Sequence, residues 1–207
     1  MKKEQNAEKT KVRKLARTKE KVSQWTTNPL NEKVLDYHNY EMTKSESVLY
    51  FVAAFLVGGV VSQFFYGGLF QEDGVPTLLT YISNSAAFVI VGLLVGKVFL
   101  PVRSRQLAEK RRDTLRRQFR DMLESLTASL AANSTVRDAF SSAYTDMCMQ
   151  YSDDALISKE LDQFRRAEQI NVTLNVMMDD FAKRSGVEEI QDFNNVFQVC
   201  YGPGGNM

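Results

Sequence analysis

The sequence predicts an all-α membrane protein: an N-terminal two-helix transmembrane hairpin followed by a cytoplasmic bundle of about five helices. Three observations predict it. Two long apolar runs contain no charged residue; basic residues crowd both flanks of this pair and are missing from the link between its members; and from residue 103 onward the apolar positions follow a helical period, with no alternating stretch of strand length. With 207 residues, the chain suffices for one such hairpin and one domain of ordinary size.

Residues 1–47 form a basic cytoplasmic segment, partly disordered. They carry 11 Lys or Arg, and the first 24 positions are almost free of large apolar side chains. Trp25, Leu30, Val34, Leu35, Tyr37 and Tyr40 follow, and Asn28-Pro29 reads as the start of a short helix with proline in its first turn. Trp25 and the tyrosines suit either the inner membrane surface or packing against the later domain.

The first apolar run, Val48 to Phe70, places transmembrane helix 1 at 48–70. The second, Val75 to Gly96, places transmembrane helix 2 at 77–100, with 71–76 as a short external loop. A hydrocarbon core about 30 Å thick takes about 20 helical residues, and charge at its centre is costly. The link holds Glu72 and Asp73 but no Lys or Arg, whereas residues 97–120 hold 9 basic residues. The positive-inside rule therefore puts the N-terminus and the main domain of a multi-pass membrane protein in the cytoplasm. No cleavage pattern follows the first run, so a signal peptide is not expected. Ala54-x-x-x-Gly58 and Gly92-x-x-x-Gly96 put small residues on one face of each span; they are candidates for helix–helix packing, although glycine is frequent in membrane helices generally. Lys97 lies where its stem can snorkel.

The region 103–207 is the cytoplasmic helical domain. Leu115, Phe119, Met122, Leu123, Leu126 and Leu130 share one face. Asn133-Ser134 breaks the pattern, and Ser134 or Thr135 caps a second helix striped by Val136, Phe140, Tyr144 and Met147. A third starts at Ser152-Asp153, with Ile157, Leu161 and Phe164 inward and Lys159, Glu160, Arg165 and Arg166 outward. The fourth uses Leu174, Met177, Met178 and Phe181 and ends at Ser185-Gly186, where glycine suits a left-handed cap. The fifth carries Val187, Ile190, Phe193, Val196 and Phe197 and stops at Gly202-Pro203-Gly204-Gly205.

Reactive chemistry is sparse. The one histidine, His38, has no evident partner; Cys148 and Cys200 read as reduced helix residues; no P-loop, HExxH or CxxC pattern is present. Asp153-Asp154 and Asp179-Asp180 read as pairs at helix ends, and Glu188-Glu189 as first-turn acids. The chain is expected to be no enzyme and to hold no cofactor or metal. Arg111, Arg112, Arg116, Arg117 and Arg120, together with Arg165 and Arg166, are the candidate docking residues for membrane lipids or an acidic face of a partner. Aromatics are not interleaved with them, so no nucleic-acid partner is expected.

The order of these pieces resembles the type II secretion system F domain family, the inner-membrane platform proteins of secretion systems and pili. Three stretches carry the likeness: Phe119 to Phe140 as the opening helix pair, Ile157-Ser-Lys-Glu-Leu161 in the helix that follows, and Phe193 to Met207 with its Gly204-Gly205-Asn206 turn. A single domain copy behind two spans is similar to the TadB and TadC members of the tight-adherence (Tad/Flp, type IVb) pilus branch. Members continue past that turn into another helix and further spans, so the resemblance implies that this chain is truncated at its C-terminus. It further implies a platform that couples a hexameric secretion ATPase to assembly of pilin subunits beside a homologous platform subunit, as a homo- or hetero-oligomer. The reading from a different class is a membrane-anchored helical signalling or scaffold protein with another cytoplasmic partner.

Overall fold

The computed structural model describes residues 23–66, 71–72, 75–76 and 78–201. The predicted disorder of residues 1–22 and the Gly202–Met207 turn lie outside them. Among the described residues there are six helices: α1 (Lys44–Tyr66), α2 (Leu78–Ala131), α3 (Val136–Tyr151), α4 (Leu156–Gln169), α5 (Leu174–Ser185) and α6 (Glu188–Tyr201). Two antiparallel ribbons accompany them, β1 (Trp25–Thr27) with β2 (Lys33–Leu35), and β3 (Gln71–Glu72) with β4 (Val75–Pro76). The chain divides into two compact units, one made of Tyr40–Leu107 and the other of Met1–Asn39 with Ala108–Met207.

In the unit Tyr40–Leu107, α1 begins four residues before the apolar run, because Thr43-x-x-Glu46 forms part of a capping box: the Thr43 N–H donates to Glu46 Oε2 at 2.9 Å. α1 and the first part of α2 are two helices long and apolar enough to cross a membrane. Their apolar windows are only 22% and 11% buried, and side chains such as Phe64 (86% exposed) point outward. The two helices run antiparallel and meet through glycine. A Cβ added at Gly92 would stand 2.7 Å from the Phe55 ring and 2.9 Å from the Phe55 carbonyl oxygen; one at Gly96 would stand 2.6 Å from the Phe51 ring; one at Gly58 would stand 2.9 Å from Val95. Gly59, which the small-residue spacing did not single out, lies closest of all, 2.4 Å from Phe88 by the same measure. Phe55 and Phe88 then meet edge to face at 5.6 Å.

The expected break between a second span ending at residue 100 and a bundle starting at 103 is absent. α2 continues through Pro101 for 54 residues, about 80 Å at 1.5 Å per residue. Proline both removes the hydrogen bond to the Lys97 carbonyl and sets its ring against it, at about 3 kcal/mol, a cost that the rest of a 54-residue helix absorbs.

In the other unit, Leu115, Phe119, Met122 and Leu126 of α2 face a single core with α3–α6. An aromatic chain links these elements: Phe119 lies 6.3 Å from Phe181, Phe181 6.3 Å from Phe164, Phe164 stacks on Phe140 at 5.4 Å, and Phe140 meets Phe197 edge-on at 5.9 Å. The Thr135 cap of α3 forms as expected, its side chain accepting from the Asp138 N–H at 3.2 Å. Gly186 takes the left-handed cap after α5 with φ 60°.

Four local expectations are corrected. Ser152 closes α3, and α4 starts at Leu156. Leu130 and Val196 are 40% and 63% exposed rather than inward. In α3 the buried face is Ala139, Phe140, Ala143 and Met147, whose small alanines admit a neighbour closely, leaving Val136 and Tyr144 half-buried. Asn28-Pro29 starts no helix: the Asn28 side-chain oxygen accepts from the N–H groups of Leu30 (3.0 Å) and Glu32 (2.8 Å), and this turn joins β1 to β2 in the register Thr26↔Val34.

Since both the ring and the backbone of Phe55 lie against Gly92, Gly92→Leu must separate α1 from α2. It is expected to cost about 1–3 kcal/mol, as for overpacked cores. Val57→Leu, on the outward face, is expected to leave the melting temperature of the detergent-solubilised protein unchanged, which a parallel thermal scan checks.

Candidate functional site

The densest polar constellation lies beneath the first ribbon, on the inner faces of α4 and α5. Glu160 was expected outward, yet it sits with Ile157, Leu161 and Phe164 on the buried side and is 2% exposed. Its Oε2 accepts from Arg184 Nη2 at 2.8 Å and its Oε1 from Arg184 Nη1 at 3.0 Å, a fork-to-fork pair. Arg184 Nε donates to Asp180 at 2.7 Å, and Nη1 also donates to the Leu35 carbonyl at 2.9 Å. Tyr37, 1% exposed, donates its hydroxyl to Glu160 Oε1 at 2.9 Å, and its N–H bonds the Arg184 carbonyl at 3.0 Å.

The ribbon is thus tied to the helices by a buried charge. Asn28 to Gln163 (3.1 Å) and Arg166 to Glu32 (3.1 Å) hold it further along. Burial, and then the negative charge and hydrogen bond of Glu160, push the Tyr37 phenol well above its ordinary pKa. Burial alone would lower the Arg184 guanidinium, but the hydrogen bonds and charges of Glu160 and Asp180 outweigh it and hold the group above its usual value.

Beside this network a cavity of about 500 Å³ opens, lined by Trp25, Val34, Tyr144, Leu156, Lys159 and Arg166 among others. A second cleft, of about 480 Å³, lies among Arg137, Glu168, Val172, Leu174, Val176 and Tyr201. Among the described residues no group of three or more His, Cys, Asp or Glu is placed to hold a metal ion. His38 does have a partner: its Nδ1 lies 2.8 Å from Asp36 Oδ1. Asp179 and Asp180 are not at a helix end; they lie inside α5 and pair with Lys183 and Arg184 one turn on. Glu188 and Glu189 do occupy the first turn of α6.

The candidate docking arginines fall into two groups with different partners. On α2, Arg116 bridges Asp113 (2.8 Å) and Glu189 (3.0 Å), Arg120 reaches Glu189 at 3.3 Å, Arg117 donates to the Asp113 carbonyl at 3.3 Å, and Arg111 to Gln24 at 3.4 Å. The backbone N–H of Glu189 and these two arginines hold its carboxyl below the usual range. Arg112 lies against Gly186, its Cδ 3.1 Å from where a Cβ would be. On α4, Arg165 pairs with Asp162 at 2.7 Å and stacks over the Tyr144 ring, while Arg166 pairs with Asp162 and Glu32. Ala54, Gly58, Gly92 and Gly96 lie in the other unit, the three glycines within the α1–α2 contact and Ala54 buried.

Of the two places open to Tyr37, packing against the later domain is the one it takes, whereas Arg184, read with Lys183 as a docking cation, is buried, and sequence reasoning missed the inward Glu160 and Gln163. A signal was present for Glu160 and Arg184. Glu160 completes the i, i+3, i+4, i+7 series Ile157, Glu160, Leu161, Phe164, and Arg184 continues Met177 and Phe181.

Compared with protein-family models, with curated proteins and with solved structures, the chain has no match.

Removing Glu160 leaves a buried guanidinium without its main counter-charge. Glu160→Ala is expected to cost about 3–5 kcal/mol, and the double change Glu160→Met with Arg184→Met to cost less than Glu160→Ala alone; chemical denaturation followed by circular dichroism decides. The raised phenol of Tyr37 adds a pH dependence of defined sign. The folded-state value lies above the unfolded one, near 10, so the contribution is complete below about pH 10 and is lost as pH climbs through the folded value. The stability gap between the wild type and Tyr37→Phe is therefore expected to be constant at neutral pH and to shrink above about pH 10.

Proposed function

We propose that the chain is a non-enzymatic platform protein of the inner membrane, similar to the tight-adherence branch of the type II secretion F family. α1 and the first part of α2 span the bilayer as a hairpin, and the N-terminal segment and the helical unit lie in the cytoplasm. The observation that carries the reading is the pair of long helices whose apolar side chains face outward. Apolar surface of that extent, charge-free along each window, is stable in lipid and costly in water. The run of 9 basic residues at 97–120 and the acidic link at 71–76 support the orientation.

The partners of this reading are a hexameric secretion ATPase, a homologous platform subunit, pilin subunits and membrane lipids. The role is mechanical: motion driven by ATP in the partner displaces the helical unit, and the spans pass it to the assembling filament. The mainly helical second unit supports this, since a compact set of helices tied to a short ribbon by a buried ion network can act as one stiff body.

Crosslinking in native membranes with this chain as bait, read by mass spectrometry, is expected to recover a secretion ATPase and a second platform-like protein. Recovery of neither leaves a membrane-anchored scaffold. Orientation is read separately with a membrane-impermeant maleimide. Cys200 is exposed and is expected to react only once the membrane is opened, whereas Cys148, half-buried and with its thiol pushed up by burial, reacts more slowly. Labelling of Cys200 in intact cells would reverse the topology.

A further inference from the structure

Ion pairing separates the cations of this chain into two kinds. In the unit containing α3–α6, Arg116, Arg120, Arg137, Arg165, Arg166 and Arg184 each meet a carboxylate, while Lys33, Lys110, Arg112 and Arg117 meet none among the described residues. In the unit Tyr40–Leu107, no carboxylate among the described residues pairs with Lys44, Lys97, Arg103 or Arg105. Arg103 is nonetheless held in place. Its guanidinium carbon lies 5.0 Å from the centre of the Tyr50 ring, Nη2 lies 3.4 Å from the Tyr50 hydroxyl, and Nη1 lies 3.2 Å from Gln106 Oε1. Its Nε is buried and meets no acceptor. The partners supplied are a phenol and an amide, both neutral, so the side chain is fixed while its charge stays uncompensated.

The position matters as much as the pairing. Gly96 packs on Phe51 and Arg103 on Tyr50. Gly92 faces Phe55 and Gly96 faces Phe51 on the antiparallel helix, and the same register carried further sets Arg103 opposite Lys44, both roughly 10 Å beyond the Gly96–Phe51 contact. The two cations thus stand together at one end of the apolar pair.

We infer that Arg103, clamped over Tyr50, is the centre of a binding site for the phosphate of an anionic phospholipid, with Lys44 of the facing helix beside it. The inference rests on the membrane-spanning reading. A guanidinium fork matches phosphate oxygens in a bidentate manner, and the Tyr50 ring pre-orients it. The second cation, Lys44, adds to the selection of a net-negative headgroup over a zwitterionic one.

The test uses the full chain purified in mild detergent and titrated with phosphatidylglycerol or phosphatidylcholine, with retained lipid counted by native mass spectrometry. Phosphatidylglycerol is expected to be retained in preference, and Arg103→Gln and Lys44→Gln are each expected to weaken that retention roughly fivefold. Arg103→Lys is expected to lose less than Arg103→Gln, and the ion-paired Arg165→Gln to lose nothing. Lys44 is exposed, so its variant tests the site even where Arg103→Gln misfolds. Equal retention of the two lipids, a preference untouched by Lys44→Gln, or loss of a co-purifying protein in place of lipid would overturn the inference. Release of the chain from membranes by alkaline carbonate would instead sink the spanning reading, a separate result.

Discussion

The pairing of Glu160 with Arg184 is the interaction on which the helical unit depends. Two charges buried to within a few per cent carry a large desolvation cost, which only dense hydrogen bonding offsets. The network provides it: Glu160 accepts from Tyr37 and twice from Arg184, and Arg184 also reaches Asp180 and the Leu35 carbonyl. All but the Asp180 bond, which lies within α5, join segments remote in sequence, so the network fixes α4 against α5 and pins residues 23–39 onto both. Apolar packing would supply comparable stability without this directionality. What the charges add is a single register: the Tyr37 hydroxyl and the Leu35 carbonyl can both be satisfied only when the ribbon lies where it does.

The glycines solve the matching problem in the other unit. Two helices that leave most of their apolar side chains outward are held to each other only where they approach closely. Gly58, Gly59, Gly92 and Gly96 remove the side chains that would hold α1 and α2 apart, and Phe51, Phe55 and Phe88 fill the space so opened. These small faces are therefore consumed within the chain. A further subunit would have to meet the outward branched and aromatic side chains, such as Val57, Val60 and Phe64, whose fit is coarser.

Helix periodicity was the legible part of the sequence. The stripes of α4 and α5, the Thr135 cap and the Gly186 cap could be read because each depends on residues within one or two turns. Three things were not legible, each for a physical reason. The continuity of α2 through Pro101 depends on the length of helix on both sides, which outweighs the roughly 3 kcal/mol that an interior proline costs. The first ribbon depends on the Asn28 side chain capturing two backbone N–H groups, a choice that competes with helix initiation at the same Asn-Pro pair. Glu160 was assigned outward because charge alone was weighed. Its place in the i, i+3, i+4 series was visible, but the partner that makes burial tolerable lies 24 residues away on another helix.

Charge offers the same lesson at larger scale. A count along the chain treats Arg116, Arg120, Arg165 and Arg166 as one basic surface, yet each already has a carboxylate within 3.3 Å. An arginine so paired exerts a dipole's field rather than a monopole's, and a new partner would have to displace Glu189 or Asp162 before gaining anything. Arg103 and Lys44 gain without that exchange, because Tyr50 and Gln106 hold Arg103 without neutralising it and Lys44 is exposed. Cations available for an external anion are therefore marked by the absence of an internal carboxylate, not by their density in the sequence.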